Sequence, residues 1–214
     1  LQTNKYPTAA ILVLSWPKGS WKPVIRPYTP ISDLNKPGHV DFLIKKYPNG
    51  KQSSHIHSLQ PGDCLYFLAP LKGYSWTANK FPHVTLIAGG AGITPIYQLA
   101  KGILDNPEDN TSITMILGVN GDQDVLLKQE FDHWRKQFPE RFQAVYTASK
   151  PIEGSELRKG YVNAELLKEV VKMKDNDMIF VCGPPAMEKT LCGEKSLKGV
   201  LEELGYRKDQ VHRF

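Results

Sequence analysis

Two short stretches carry residue types that chemistry on an anionic ligand requires. The first, Gly89-Gly90-Ala91-Gly92-Ile93-Thr94-Pro95, closes an apolar run and opens a segment of helical period. Glycines let backbone N–H groups approach a diphosphate, and a helix starting there turns its positive end and unpaired amides towards the anion. The order predicts Thr94 as the N-cap and Pro95 at the first helical position, where a missing N–H costs nothing. The pattern is GxGxxP and not GxGxxG, so by itself it fits a tight structural turn as well as a nucleotide site. The second stretch, Val181-Cys182-Gly183-Pro184-Pro185-Ala186-Met187, ends another apolar run in a rigid turn that brings the polarizable sulfur of Cys182 to the ligand edge. No histidine stands beside it in sequence, which argues against a covalent nucleophile.

A separate group lies nearer the N-terminus. In Arg26-Pro27-Tyr28-Thr29-Pro30, period-two alternation puts Arg26 and Tyr28 on one face, a guanidinium for phosphate beside an aromatic plane that can stack on a ring. Further on, Gly50-Lys51-Gln52-Ser53-Ser54 precedes a short helical stretch, another place for an anion. Together these pieces point to a second nucleotide site distinct from the first. His55 and His57 are two apart and diverge on either a strand or a helix, so a shared metal is not expected. Asp122 and Asp124 read as loop and cap residues and not as an acid/base pair.

The elements that must position these groups change character near residue 80. Before it, β-branched and aromatic runs (9–14, 24–29, 39–47, 64–68) alternate with turn signals, Pro-Lys-Gly at 17–19, Lys-Pro-Gly at 36–38, Pro-Asn-Gly at 48–50 and Pro-Gly-Asp at 61–63, which predicts antiparallel β structure. Residues 71–81 have neither period and read as a connection. After it, strands at 84–88, 113–118, 142–147 and 178–182 alternate with helices at 95–104, 125–138, 163–173 and 186–204, the last broken near Gly193. That alternation predicts a parallel, doubly wound sheet whose ligands bind at the carboxyl ends of its strands. The expected division is residues 1–76 and 77–214.

With 41% hydrophobic and 23% charged residues, the chain has the balance of a globular protein and not of a disordered or collagenous one. Three cysteines without a CxxC pair exclude a disulfide framework or thiolate zinc site and favour a reducing compartment. The longest aliphatic run, 9–14, is far short of the roughly 18 apolar residues that span a bilayer. The net charge of +5 favours acidic partners. Basic residues gather near the C-terminus without an aromatic stripe, so an acidic protein fits better than nucleic acid.

The ordered motifs RPYTPIS (26–32), VDFLIKKYPNGKQSSHI (40–56), GGAGITPIYQLA (89–100), CGPPAM (182–187) and the terminal Phe214 resemble the NADH-cytochrome b5 reductases of the ferredoxin reductase superfamily, over nearly the whole chain. The stretches KYPNG, SHIHSLQPGD and LEELGYRKDQVHRF (201–214) are most similar to the fungal mitochondrial form. The resemblance implies an α/β plus β protein: an antiparallel FAD-binding β-barrel over 1–76, then a doubly wound parallel-sheet NAD(P)H-binding domain over 77–214. It implies hydride transfer from NADH to FAD, then single-electron transfer to a haem protein such as cytochrome b5. By the same resemblance Arg26 holds the FAD diphosphate, Pro27 and Tyr28 flank the flavin, and Thr29 bonds near its N5. Leu43, Lys45 and Tyr47 match the next FAD strand, and Gly50, Lys51, Gln52 and Ser53 the FAD phosphate turn, with Gln52 where the family usually has Met. Gly90, Gly92, Cys182, Gly183, Pro184 and Met187 line the NAD(P)H crevice, and Thr94 reaches the flavin. Thr29, Thr94 and Cys182 are the residues expected at the hydride contact.

Two departures stand out. Such a reductase closes a six-stranded flavin barrel, and this chain reads as lacking about two strands before Ala9. After Tyr146-Thr147 the family commonly has an Asp for the adenosine ribose, whereas Ala148-Ser149-Lys150 stand here and leave room for the 2′-phosphate of NADPH; NADH remains the expected donor. The resemblance further implies a mitochondrial address, outer membrane or intermembrane space, a monomer, and membrane contact only through a segment outside this chain. The rival readings are a nucleotide-binding or assembly protein that has lost flavin, and another diaphorase of the superfamily.

Overall fold

The structure is a computed structural model that describes residues 8–33, 38–171 and 176–214. Lys36 and Pro37 of the expected turn at 36–38, and the last two residues of the expected helix 163–173, lie outside the described residues. The chain falls into two compact units, Leu1–Trp76 and Thr77–Phe214.

In the first unit, β1 (Ala10–Ser15) is the middle strand of a three-stranded antiparallel sheet, flanked by β2 (Val24–Tyr28) and β3 (Tyr66–Leu71). Val13, almost fully buried, pairs with Arg26 on one side and Phe67 on the other, with an irregularity in register between Ile11 and Val13. The sheet does not close into a barrel among the described residues, and β3 is exposed at every position. The strand expected over 39–47 forms no ladder, because its backbone groups are spent elsewhere. Asp41 C=O accepts from Ile31 N–H at 2.9 Å, Ile44 C=O lies 2.9 Å from His57 Nε2, and Tyr47 N–H donates to Ser53 Oγ at 3.1 Å. A short helix, α1 (Lys51–Ile56), follows.

The second unit is a six-stranded parallel sheet. Its strands are β4 (His83–Gly89), β5 (Ser112–Val119), β6 (Phe142–Ala148), β7 (Arg158–Lys159), β8 (Met178–Cys182) and β9 (Val211–Arg213), in the order β7-β6-β5-β4-β8-β9. Chain order runs from β4 outward through β5 and β6, then crosses back to place β8 on the other side of β4. The gap between β4 and β8 is therefore the topological switch point, where ligands of open α/β sheets bind. Among the described residues five α-helices complete the unit: α2 (Ile93–Leu104), α3 (Lys128–Gln137), α4 (Ala164–Val170), α5 (Pro185–Cys192) and α6 (Val200–Glu203).

The near-continuous apolar runs of β4, β5 and β8 are those of strands covered on both faces. One core joins Ile87, Ile116, Ile179 and Val181 of the sheet to Leu166, Leu167, Leu191, Leu201 and Tyr206. Elsewhere Tyr97 of α2 stacks on Trp134 of α3 at 5.2 Å, and Trp134 meets Phe142 edge-on at 5.5 Å. Asn163 caps α4, its Oδ1 accepting from Leu166 N–H at 2.9 Å. Helix α3 starts later than the expected residue 125 because Leu127 takes φ 58°, which a helix cannot contain.

Candidate functional site

The first-unit cluster is assembled by β2 and the turn leading into α1. Arg26 and Tyr28 share a face of β2, as their alternation requires. Arg26 is exposed, and its Nη1 donates only to the adjacent Ile25 C=O at 2.8 Å; among the described residues no carboxylate pairs with it. Tyr28 is half-buried, its ring edge-on to Phe42 at 6.5 Å. Burial raises the Tyr28 hydroxyl above its ordinary range; Arg26 lowers it and Tyr47 raises it, so the charge and the second phenol both lie close. Thr29 is buried, Leu43 and Lys45 are half-buried on the intervening segment, and Pro27 pairs with Leu12 in the ladder. An exposed guanidinium beside an aromatic face suits a phosphorylated ring cofactor such as a flavin nucleotide.

The turn at 50–53 has a different internal logic from the one its motif implies. Gln52 and Ser53 are buried, and their side chains face the protein. Gln52 Oε1 accepts from Ser15 Oγ at 2.8 Å and Nε2 donates to Val13 C=O at 3.1 Å, which ties α1 to the middle strand. Ser53 Oγ accepts from Tyr47 N–H and donates to Gly50 C=O at 3.2 Å. A Cβ on Gly50 would stand 2.4 Å from Ser53 Oγ, so a larger residue there would have to turn that hydroxyl away from the Gly50 carbonyl. What the turn offers outward is its first-turn amides and the exposed Lys51. Replacing Gln52 by Met should leave the Ser15 hydroxyl and Val13 carbonyl without these partners and lower stability by about 1–3 kcal/mol. The check is the Tm of parent and variant; an unchanged Tm would show that these bonds carry no net stability.

In the second unit, the turns after β4 and β8 meet backbone to backbone. Ala88 is in register with Cys182, so both turns begin at the same height of the sheet. A Cβ on Gly92 would stand 2.3 Å from Cys182 C=O oxygen and 2.8 Å from Gly183 N. A Cβ on Gly183 would meet Met187 Cε at 2.5 Å, and one on Gly89 would meet Met187 Sδ at 2.7 Å and Pro184 Cδ at 2.8 Å. Gly89, Gly92 and Gly183 are thus packing glycines, and the Met187 thioether is the part pressed between the two turns. Gly90 differs: it has φ 50° and open space where a Cβ would project, which leaves bare backbone for a ligand. That fits a dinucleotide diphosphate.

Thr94 is not the N-cap. Residues Gly90–Gly92 form a 3-10 turn, α2 starts at Ile93, and Gly92 takes the capping position with helical φ −65°. Thr94, buried within the first turn, donates weakly to Ala91 C=O at 3.4 Å, and Pro95 is third in the helix, where its missing N–H is still harmless. Cys182 is partly exposed, and burial, with a smaller push from Glu188, drives its thiol up to about 12. It is a neutral thiol at physiological pH, not activated for nucleophilic attack. Pro184 precedes Pro185 at the first position of α5. At the end of β6, Ser149 and Lys150 continue the ladder, their N–H groups donating to Val119 and Asn120 carbonyls at 3.1 and 2.8 Å. Asp122, whose carboxylate accepts from Ser155 Oγ and Ile152 N–H and is held below its ordinary range by them, is committed to the neighbouring loop.

Sequence reasoning passed over Glu188, whose Oε1 accepts from Gly183 N–H at 3.2 Å and whose Oε2 lies 3.7 Å from Arg213 Nε. An acid in the first turn of a helix opened by Pro-Pro was the available signal.

A doubly wound sheet with close-packed glycine turns at its switch point, in a chain that also carries an Arg-x-Tyr-Thr antiparallel unit, fits the class of pyridine-nucleotide-linked flavoprotein oxidoreductases. The family comparisons agree. Residues 2–76 match the oxidoreductase FAD-binding domain model and residues 86–193 the oxidoreductase NAD-binding domain model. NADH-cytochrome b5 reductase 2 of Emericella nidulans is 47% identical over 216 residues, covering 97% of this chain and 67% of its own. The protein of the same name from Pyricularia oryzae is 44% identical over 215 residues, covering 96% and 65%. The chain belongs to the NADH-cytochrome b5 reductase family, and it spans about two thirds of the length of these relatives. Among solved structures, the cytochrome b5 reductase domain of Ulva prolifera nitrate reductase superposes with TM-score 0.86 at 26% identity, covering 98% of this chain and 85% of that one. The CS-b5R domains of human Ncb5or share the fold, with TM-score 0.82 at 20% identity over 97% of this chain and 60% of that one.

Proposed function

We propose that this chain is the FAD- and NADH-binding part of a reductase that takes hydride from NADH and delivers electrons to cytochrome b5 or a similar haem protein. The observation that carries the reading is the locked pair of turns at the β4–β8 switch point, with Gly90 bare beside them, in a chain of this family. Bound FAD supplies the chemistry, accepting a hydride and releasing electrons one at a time. The chain's own residues bind and orient. Arg26 neutralises the FAD diphosphate, Tyr28 gives its ring a face, and Thr29 offers a hydroxyl. The Gly90 backbone receives the NADH diphosphate. Cys182, neutral and polarizable, forms one wall for the nicotinamide, and no residue is asked to move a proton in the hydride step. The end of β6 presents Ser149 and Lys150 and no carboxylate, so NADPH is accepted as a weaker donor.

The full-length protein should purify yellow, bleach anaerobically on addition of NADH, and recolour on addition of oxidised cytochrome b5. A colourless preparation would favour the flavin-free nucleotide-binding reading, and bleaching without transfer to cytochrome b5 would favour another diaphorase. Replacing Cys182 by Ser should leave the flavin bound and slow its reduction by NADH about tenfold, roughly 1.4 kcal/mol of barrier. Stopped-flow reduction as fast as the parent's would remove Cys182 from the contact. We further propose a mitochondrial address and a monomeric state, on the likeness to the fungal mitochondrial form; organelle fractionation and light scattering test them.

A further inference from the structure

The roles assigned above leave Glu188 unused, yet it is the side chain on which three elements converge. It stands in the first turn of α5, with 17% of its side chain exposed. Its Oε1 accepts the Gly183 N–H, and its Oε2 faces Arg213 Nε on β9. One residue further, Phe214 N–H donates to Val181 C=O at 3.1 Å, and the Phe214 ring stacks on Phe180 at 6.0 Å. The run 181–183 is therefore gripped from the helix by Glu188 and from just beyond β9 by Phe214, with Arg213 joining the two. Lys189, the next residue of α5, does not compete, because it pairs with Glu194 at 2.9 Å.

Two consequences follow for the site. The Gly183 amide, engaged by a carboxylate, is withdrawn from any anion, so the Gly90 turn is left to receive the diphosphate. The same carboxylate also lies close enough to Cys182 to disfavour its thiolate.

We infer that Glu188 is a positioning residue for NADH: it fixes the Cys182–Gly183 peptide by a hydrogen bond and couples that turn to the C-terminal strand through Arg213. The inference rests on the reading that NADH lies beside Cys182, and it is tested by one readout that depends on this reading and one that does not. In the flavin-loaded, full-length enzyme, Glu188→Ala should raise KM for NADH about tenfold with kcat changed less than about twofold, the loss of one charge-assisted hydrogen bond felt in binding. Glu188→Gln, whose amide oxygen still accepts from Gly183, should recover most of that loss. Alkylation of Cys182 by iodoacetamide near pH 8, followed by peptide mass spectrometry, should run several-fold faster in both variants, because both lack the negative charge. Should Glu188→Ala fail to fold, Arg213→Gln carries the kinetic arm, with KM raised about threefold.

Unchanged KM in Glu188→Ala, or in Arg213→Gln where the former does not fold, overturns the inference. If alkylation is nevertheless faster, the action of the Glu188 charge on the Cys182 thiol stands and the placement of NADH beside Cys182 is what has failed. Unchanged alkylation in both variants overturns that action of the charge. A parent enzyme that does not oxidise NADH overturns the proposed function instead, and the alkylation arm still reads the effect of the charge.

Discussion

Gly92→Ala is expected to be severely damaging for a change of one methyl group. The added carbon would lie 2.3 Å from the Cys182 carbonyl oxygen and 2.5 Å from its carbon, both backbone atoms at the end of a buried parallel strand. No rotamer change relieves such a contact, so one of the two turns must move. Overpacking typically costs about 1–3 kcal/mol and here should reach the upper end, a large share of the roughly 5–15 kcal/mol that holds a domain folded. A turn displaced by about 1 Å should also lower kcat/KM for NADH about 100-fold. Gly90→Ala is the matched comparison. Its methyl meets nothing, and the cost is about 1 kcal/mol for a side chain at φ 50°. Yet it covers the bare backbone, so affinity for NADH should fall with little loss of Tm. Thermal melts and steady-state kinetics of both variants check the pair. Equal Tm for Gly92→Ala and Gly90→Ala would mean that the turns are not locked as described.

Arg26→Ala should separate flavin retention from folding. The guanidinium is exposed and among the described residues bonds only its neighbour's carbonyl, so its removal should cost the polypeptide within about 0.5 kcal/mol. Charge-assisted hydrogen bonds to phosphate are worth about 1.5–3 kcal/mol, so FAD should bind roughly 10- to 100-fold more weakly. The measurement is flavin per chain after gel filtration of the full-length protein, with the melting of the nucleotide-binding unit as control. Equal flavin occupancy in variant and parent would take Arg26 out of the phosphate clamp.

How much of this was legible in the sequence depended on how far each feature reaches along the chain. Strands β4, β5 and β8 were plain because a strand buried on both faces must be apolar throughout, and the helices between the strands declared their period. Strands β7 and β9, at two and three residues, are too short to show any period. The run 39–47 alternates like a strand but spends its backbone on Ser53, His57 and Ile31, a choice made by residues distant in sequence. Site glycines were visible as glycines, but not why each is one. A Cβ on Gly90 would meet nothing, whereas Gly92 is required by Cys182, about ninety residues away in the chain and beyond any local pattern. Gln52 and Ser53 read as ligand contacts because their motif is one; only tertiary structure shows their side chains turned inward.

The crossing from β6 and β7 back to β8 also sets a timetable for biosynthesis. Strand β4 leaves the ribosome long before its partner on the β8 side, so until that partner is translated an apolar edge stays unpaired in the nascent chain. Glycine turns built so far apart cannot meet earlier. Competence to hold the dinucleotide is thereby a late milestone of maturation, and the interval before it is when chaperones must shield this polypeptide from its neighbours.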